Sequence, residues 1–216
     1  NFGGIFENLI FNPFEAQIDT GNMMQALLKK AHQNDILILN SQTVTSFQEL
    51  NDCVEVETNG ITFKTNKLLF TTNGFASQLT NNQVKPARAQ VLITKPIPNL
   101  DIKGTFHLDK GYFYFRNIND RILFGGGRNL DFEGETTTSH DTTELIQNHL
   151  EELLKTVILP HQDFEIEHRW SGTMGVGTHK KPIVEQLSNH VYCGVRMGGM
   201  GVAIGSLVGQ ELADLV

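Results

Sequence analysis

The stretch GVRMGGMGVAIGSLVGQELADLV, residues 194–216, places a glycine-rich loop directly before a predicted helix. Such loops bring backbone close to a bulky polar ligand, and the free N–H groups at a helix start attract electron-rich oxygens. Each glycine inside a helix costs about 1 kcal/mol relative to alanine, so the helix needs a reason to carry several. The pattern indicates either close packing on a sheet or a cofactor lying on the loop. The small residues share one helix face: Gly201, Gly205, Gly209 and Ala213.

Composition excludes several classes of protein. The 216 residues carry 17 Lys and Arg against 24 Asp and Glu, a net charge of −7, which disfavours a nucleic-acid partner. No apolar run is long enough to span a membrane, and eight histidines without paired spacing predict no metal site. Cys53 and Cys193 lie far apart, so we expect reduced thiols and a cytoplasmic protein.

Periodicity in residues 1–85 predicts both helix and strand. The first 18 residues suit two short strands, or a strand and a loop. A helix is predicted from about residue 20 to residue 32, followed by a buried strand at 35–39 and another strand beginning near Val44. Asn59 and Gly60 join two alternating runs and predict a hairpin with a type I′ turn. One face of the helix is predicted to be buried: Met24, Leu27, Leu28 and Ala31.

From Pro86 onward the sequence is rich in β-branched and aromatic residues, which is typical of an antiparallel sheet. Asp141 and Glu144 suggest a capping box that opens a helix ending near Val157. The segments DFEIEHRW and VYCGV predict two more strands before the last helix. The fold class is therefore α+β, with a mostly antiparallel sheet and a helix in the middle of the chain.

Five segments in this order resemble the D-amino-acid oxidase family of FAD-dependent oxidoreductases, which includes glycine oxidase and sarcosine oxidase. They are TNKLLFTTNGFASQL, KPARAQVLITKPIP, ILFGGGRN, HRWSGTMGVGTHKKPIV and NHVYCGVRMGGMGVAIGSLVGQELADLV. The resemblance covers essentially all of the chain. It implies that residues 1–18 and 86–170 form a substrate domain, and that 19–85 and 171–216 are the remnant of an FAD-binding α/β domain.

The same resemblance implies which residues meet FAD. In the family the glycine loop passes the flavin ring, and the helix N-terminus faces the N1/O2 edge of that ring. Carried over by position, the loop residues would act through backbone N–H groups, a strand-end turn would lie near the cofactor, and one backbone would contact adenine. The loop comprises Arg196, Met197, Gly198, Gly199, Met200, Gly201, Val202 and Ala203; the turn is Thr72, Asn73 and Gly74; the adenine contact is Val44.

The substrate residues depart from the family pattern. Tyr112 resembles an active-site tyrosine, although a plain sheet aromatic explains it equally well. Met174 stands where the family's amino-acid oxidases carry an arginine that binds the substrate carboxylate, and a thioether cannot replace that charge. Either the substrate lacks a carboxylate or another arginine supplies the charge. Arg196 is the first candidate and Arg116 the second.

The resemblance implies an FAD-dependent enzyme that oxidises the C–N bond of an amine or amino acid by hydride transfer to the flavin. Oxidation of a 2-hydroxy acid on the same fold is the alternative enzyme, and a non-catalytic binding module is the alternative of another class. The family's opening strand–G-x-G-x-x-G–helix unit has no counterpart in this sequence. We therefore expect a C-terminal fragment that is inactive alone, binds FAD weakly or not at all, and self-associates through an exposed apolar wall.

Overall fold

The computed structural model describes residues 2–3, 8–80 and 83–216, and the chain divides into two units. Unit 1 comprises Asn1–Asp19 and Arg88–Gly172, and unit 2 comprises Thr20–Ala87 and Thr173–Val216. The helices are α1 (Thr20–Gln33), α2 (Glu144–Leu153) and α3 (Gly201–Asp214). The strands are β1 (Val44–Glu49), β2 (Val54–Thr58), β3 (Thr62–Thr65), β4 (Leu68–Phe70), β5 (Lys85–Thr94), β6 (Thr105–Leu108), β7 (Phe113–Ile118), β8 (Arg121–Gly126), β9 (Ile166–Val176), β10 (Ile183–Gln186) and β11 (Val191–Val195).

Unit 1 is built on a five-stranded sheet of order β6-β7-β8-β5-β9, in which β6, β7, β8 and β5 pair antiparallel. Alternation along β7 turns Phe113 and Phe115 to one face, where they join the buried core with Ile146 and Leu150 of α2. The helix continues as a π-helical turn, Leu154–Ile158. The antiparallel sheet and its helix are confirmed as the sequence predicts.

A buried polar network joins β5 to the start of α2. The Arg88 guanidinium meets the fully buried Glu135 carboxylate through Nη2–Oε1 at 2.6 Å and Nε–Oε2 at 3.0 Å. This hydrogen bond raises the pKa of Arg88 although burial opposes it. Gln90 donates to Glu135 Oε1 at 2.9 Å and accepts the Thr143 backbone N–H at 2.9 Å. Because these charges are paired and bonded, the network tolerates its burial.

The predicted capping box between Asp141 and Glu144 is wrong. The N-cap residue of α2 is Thr143, and it makes no side-chain capping bond. The Asp141 carboxylate instead accepts the Ser139 hydroxyl at 2.6 Å. Gln90, distant in sequence, takes the Thr143 N–H. The backbone at the start of α2 is therefore bonded by a side chain from a distant strand and not by a local capping box.

Unit 2 holds two three-stranded sheets. One has the order β1-β2-β3 and is antiparallel; the other has the order β10-β11-β4, in which β11 runs parallel to β4 and antiparallel to β10. Helix α3 packs on β11 through Val208 and Leu212, close to Gly194, where a Cβ would lie 3.0 Å from Leu212 Cδ2. Gly209 meets nothing within 4 Å, so the small-residue face of α3 is not fully used in packing. Both sheets contribute to one buried cluster: Val54, Val56, Phe70, Ala76, Val84, Val191, Cys193 and Val195.

Two predictions of burial in unit 2 are wrong. Helix α1 forms as expected, but none of its residues is buried, and Met24, Leu27 and Leu28 are exposed. Residues 36–39 form no strand, and Leu37 is 81% exposed. An apolar stripe or run identifies the side chains that would be buried if another element packed against them. Within the described part of the chain, no partner covers these side chains.

The β2–β3 hairpin is confirmed, but its turn is not type I′. That turn requires positive φ at both central residues, and neither Asn59 nor Gly60 has it. The Thr58 hydroxyl accepts the Ile61 N–H at 2.9 Å, and Asn59 Oδ1 accepts the Thr43 N–H at 3.0 Å. These side-chain bonds hold a different loop conformation.

The strands predicted within residues 1–18 fall partly on residues 1 and 4–7, which lie outside the described residues. Residues 8–18 contain no strand. Asn12 caps a local turn instead, since its Oδ1 accepts the Phe14 N–H at 3.0 Å. Asn-Pro at this point favours a turn over an extended pair.

Candidate functional site

Two loops follow the carboxyl ends of the parallel strands β4 and β11. The first is the Asn73 turn (residues 72–74), and the second is the glycine loop (residues 196–203), which includes the first residues of α3. Asn73 Oδ1 accepts the Met197 backbone N–H at 3.1 Å, so the two loops are in contact. In open α/β sheets, the carboxyl ends of parallel strands are where ligands bind.

Glycines let a third segment, at the end of β9, pack against both loops. A Cβ at Gly74 would lie 2.7 Å from the Met174 carbonyl oxygen, and one at Gly175 would lie 2.6 Å from Asn73 Oδ1. The Gly198 N–H donates to the Gly175 carbonyl at 2.9 Å. The three segments therefore interlock at distances that a larger residue would not permit.

The glycine loop presents free donors at the start of a 14-residue helix. Among the described residues, no acceptor pairs with the backbone N–H groups of Gly199, Gly201 and Val202. Gly198 has a φ of +56°, and a Cβ there would meet nothing within 4 Å. Unpaired N–H groups and the helix dipole together make this end attractive to an electron-rich oxygen.

Thr173 adds an unsatisfied polar atom beside the Asn73 turn. Its Oγ1 is buried and has no hydrogen-bond partner in the described part of the chain. Its methyl group lies 2.8 Å from the position of a Cβ on Gly74. A buried hydroxyl without a partner is costly, which indicates a place where a ligand completes the bonding.

Val44 lies further from these loops in the chain but shares their hydrophobic support. It is the first residue of β1, where it pairs with Thr58. Its side chain packs partly against the cluster that contains Phe70 of β4 and Val195 of β11. The structure therefore joins Val44 to the strands that carry both loops.

Arg196 and Met174 occupy different positions relative to the glycine loop. Arg196 has a φ of 64° and is 8% exposed, and its Nε donates to the Lys181 carbonyl at 2.9 Å. Its Cδ lies 2.7 Å from the position of a Cβ on Gly177. The Met174 sulfur lies 4.0 Å from the position of a Cβ on Gly199. The thioether is thus the side chain beside the loop, while the guanidinium is bonded to the 177–181 segment.

Tyr112 belongs to unit 1 and sits on a strained backbone frame. The residues before it, Asp109, Lys110 and Gly111, have φ values of 45°, 57° and 86°. A Cβ at Gly126 would overlap the Tyr112 carbonyl oxygen, which accepts the Gly127 N–H at 3.0 Å. The Tyr112 side chain remains 40% exposed. Strained conformations of this kind cluster at functional sites in proteins.

Arg116 lies on the β7 face that points away from α2, because it alternates with Phe113 and Phe115. It donates to no acceptor among the described residues. On the same face, the Tyr114 ring covers Gly125, where a Cβ would lie 3.0 Å from Tyr114 Cε2. Burial raises the pKa of the Tyr114 phenol.

Sequence reasoning assigned no role to Arg128 and Asn129. The Arg128 guanidinium lies 4.9 Å from the centre of the Phe132 ring, and Asn129 Nδ2 donates to Asp109 Oδ2 at 3.1 Å. Phe132 in turn contacts Tyr112 edge to face, with ring centres 6.0 Å apart. The three glycines before Arg128 were the available signal, since they allow the sharp turn that places it.

A model of the family described as FAD dependent oxidoreductase matches residues 3–215. The chain belongs to this DAO family. The resemblance of the five sequence segments is thereby confirmed.

Three relatives illustrate the range of the DAO family around this chain. Probable oxidoreductase OrdL of Haemophilus influenzae is 19% identical over 228 residues, covering 98% of this chain and 50% of that protein. L-proline dehydrogenase from P. horikoshii matches with a TM-score of 0.78 and 21% identity, over 94% of this chain and 57% of the other. Glycine oxidase from Geobacillus kaustophilus matches with a TM-score of 0.75 and 16% identity, over 90% and 53%. The chain spans about half the length of these proteins, and the two structures share its fold.

The residues of the glycine loop fit the cofactor that the DAO family uses. Free N–H groups at Gly199, Gly201 and Val202 suit an electron-rich ring edge, and the space over Gly198 is open. The Thr173 hydroxyl supplies a further unsatisfied group. No cluster of His, Cys, Asp or Glu among the described residues could hold a metal ion, and no described helix is long and apolar enough to cross a membrane.

Proposed function

We propose that the protein to which this chain belongs oxidises the C–N bond of an amine or amino acid with FAD. The observation that carries the proposal is the interlocked glycine loop, whose free N–H groups stand at the start of α3. The names of two matching structures, L-proline dehydrogenase and glycine oxidase, favour an amino-acid substrate over other reductants. The charge of −7 suits a small-molecule enzyme without a nucleic-acid partner.

Within this proposal the residues of unit 2 bind and orient the cofactor. The N–H groups of Gly199, Gly201 and Val202 would hold the pyrimidine edge of the flavin, where the helix dipole would stabilise negative charge. Asn73 fixes the loop through its bond to Met197, and the Val44 backbone would contact adenine. FAD, when bound, would supply the acceptor for the hydride of the substrate carbon.

The sequence predicts Arg196 as the anchor for a substrate carboxylate, but its contacts favour a positioning role. Its Nε is bonded to the Lys181 carbonyl, and its side chain is nearly buried. A left-handed φ at the first loop residue sets the path of the chain toward Gly198. We propose that Arg196 holds the glycine loop against the 177–181 segment.

The test uses the longer protein loaded with FAD and paired substrates that differ in one atom. Glycine and glycolate differ only in nitrogen against oxygen. We expect glycine, or a larger amino acid such as proline, to bleach the flavin under anaerobic conditions while glycolate and lactate leave it oxidised. Bleaching by the hydroxy acids alone would establish the alternative reaction. Flavin that is bound but reduced by neither class would contradict both.

A second measurement concerns the 216-residue chain itself. Its sequence contains no G-x-G-x-x-G, the element whose helix N-terminus matches the pyrophosphate charge of FAD. The contacts that remain would have to order a flexible dinucleotide, which costs several kcal/mol. We propose that this chain alone binds FAD weakly and is inactive. Stoichiometric flavin retained after gel filtration would contradict this.

A further inference from the structure

Arg128 is a half-buried cation, and no carboxylate among the described residues pairs with it. Its guanidinium donates to no acceptor among the described residues, and its Nε is buried without a hydrogen-bond partner. The guanidinium lies over the face of the Phe132 ring, 4.9 Å from the ring centre. Withdrawing an unpaired charge from water is costly, so a position that does so is a candidate for ligand binding.

Phe132 connects this cation to Tyr112. The Tyr112 ring meets the Phe132 ring edge to face, with centres 6.0 Å apart. Phe132 is itself exposed, and no described residue accepts the Tyr112 hydroxyl. The three side chains therefore present a phenol, an apolar ring and a guanidinium next to one another. This is the set that recognises a small amino acid, because the guanidinium matches a carboxylate and the ring matches apolar carbon.

The backbone turns that carry Tyr112 and Arg128 are bonded to each other. Asn129 follows Arg128, and its Nδ2 donates to Oδ2 of Asp109, which lies in the turn before Tyr112. The Gly127 N–H donates to the Tyr112 carbonyl, and Gly127 itself has a φ of 83°. The backbone on either side of the pair is thus cross-linked in left-handed conformations. Groups held in this way by a supporting frame are preorganised for binding.

The other arginines of unit 1 are less suited to bind an anionic ligand beside Tyr112. Arg88 is paired with Glu135, Arg121 with Glu167 and Arg169 with Glu151. Arg116 has no partner among the described residues, but it lies four residues beyond Tyr112, which is about 13 Å along an extended strand. We propose that Arg128 binds the carboxylate of the substrate beside Tyr112, and so determines its class. This rests on the proposed function.

The experiment measures binding rather than turnover. The probes are pyrrole-2-carboxylate and pyrrole-2-carboxamide, which differ in charge but not in shape, titrated calorimetrically into the longer FAD-loaded protein. We expect Arg128→Met to raise the Kd of the carboxylate about 30-fold or more and to change that of the carboxamide less than about 3-fold. Arg128→Lys should recover part of the affinity, because it restores the charge without the bidentate fork. Lys95→Met, which removes an exposed charge of the same unit, should change neither.

Several outcomes would overturn the proposal. They are a wild-type protein that prefers the carboxamide, an Arg128→Met variant that keeps its carboxylate affinity, and an Arg116→Met variant that loses more. Flavin content and thermal midpoint report whether each variant folds. If Arg128→Met does not fold, the ratio of carboxylate to carboxamide affinity in Arg128→Lys decides, and an unchanged ratio counts against the proposal. A protein that binds the carboxylate through Arg128 but is reduced by no amine would sink the proposed function alone.

Discussion

Asn73 accepts the backbone N–H of Met197 through its side-chain Oδ1, at 3.1 Å. This bond joins the loop after β4 to the loop after β11. Both loops are strained where they meet, since Asn73 has a φ of 45° and Arg196, next to Met197, a φ of 64°. Asparagine tolerates the left-handed region better than most residues and also supplies the acceptor. One side chain therefore serves the backbone of two loops.

Replacing Asn73 by Ala should destabilise the 216-residue chain by about 1–3 kcal/mol, because it removes the acceptor and strains the turn. Asn73→Asp is the matched control, since aspartate keeps an acceptor and also tolerates a left-handed φ. Urea unfolding of both variants gives the comparison. Equal free energies of unfolding for the two would show that the Met197 bond contributes nothing.

Gly74→Ala should destabilise the chain by about 1–3 kcal/mol, because its Cβ would lie 2.7 Å from the Met174 carbonyl and 2.8 Å from a Thr173 methyl. Gly209→Ala should instead stabilise it by up to about 1 kcal/mol. That glycine lies inside α3 with nothing within 4 Å of its added methyl. Denaturation midpoints that move in the same direction would contradict the packing described for the Asn73 turn.

Glu135→Gln should cost about 3–5 kcal/mol of stability, because it leaves the buried Arg88 without its counter-charge. The exposed pair of Lys95 and Glu165 provides the contrast. There the hydrogen bond from Lys95 lowers the pKa of Glu165, but solvent screens the pair, and Glu165→Gln should give no resolvable change. A thermal midpoint for Glu135→Gln that equals the wild type would show that the network is dispensable.

The two cysteines should differ in reactivity. Cys193 is fully buried on β11, and burial raises the pKa of its thiol, whereas Cys53 is partly exposed. The thiolate is the reactive form, so iodoacetamide should label Cys53 in the native chain and both cysteines in urea. Peptide mass spectrometry measures the two sites separately. Equal native labelling would mean that β11 opens readily.

Local sequence patterns predicted the elements that depend on near neighbours. The helix predicted from about residue 20 to residue 32, the hairpin at Asn59 and the antiparallel strands after Pro86 all follow from periodicity and turn residues. Periodicity could not say whether the apolar face of α1 meets a partner, and among the described residues it does not. That outcome depends on tertiary contacts, which a repeat of 3.6 residues does not encode.

The candidate sites divide in the same way. The glycine loop was visible because it is rich in glycine and continues into a helix that carries three glycines at a cost in stability, and its roles toward FAD remain predictions. Arg128 was not visible, because its neighbours Phe132 and Tyr112 come together through positive φ at Gly126 and Gly127. The sequence shows glycines at these positions, but it does not show which side chains the turn then brings into contact.

The order in which the two units use the chain bears on biosynthesis. Strand β4 pairs with β11, and the whole of Arg88–Gly172 lies between them. During translation, the edge of β4 therefore remains unpaired until Arg88–Gly172 and then β11 have been synthesised. An unpaired strand edge is prone to aggregation, and long-range parallel pairing is slow. Unit 1 can gain its antiparallel sheet first, so arrested nascent chains should protect β7 from proteolysis before they protect β4.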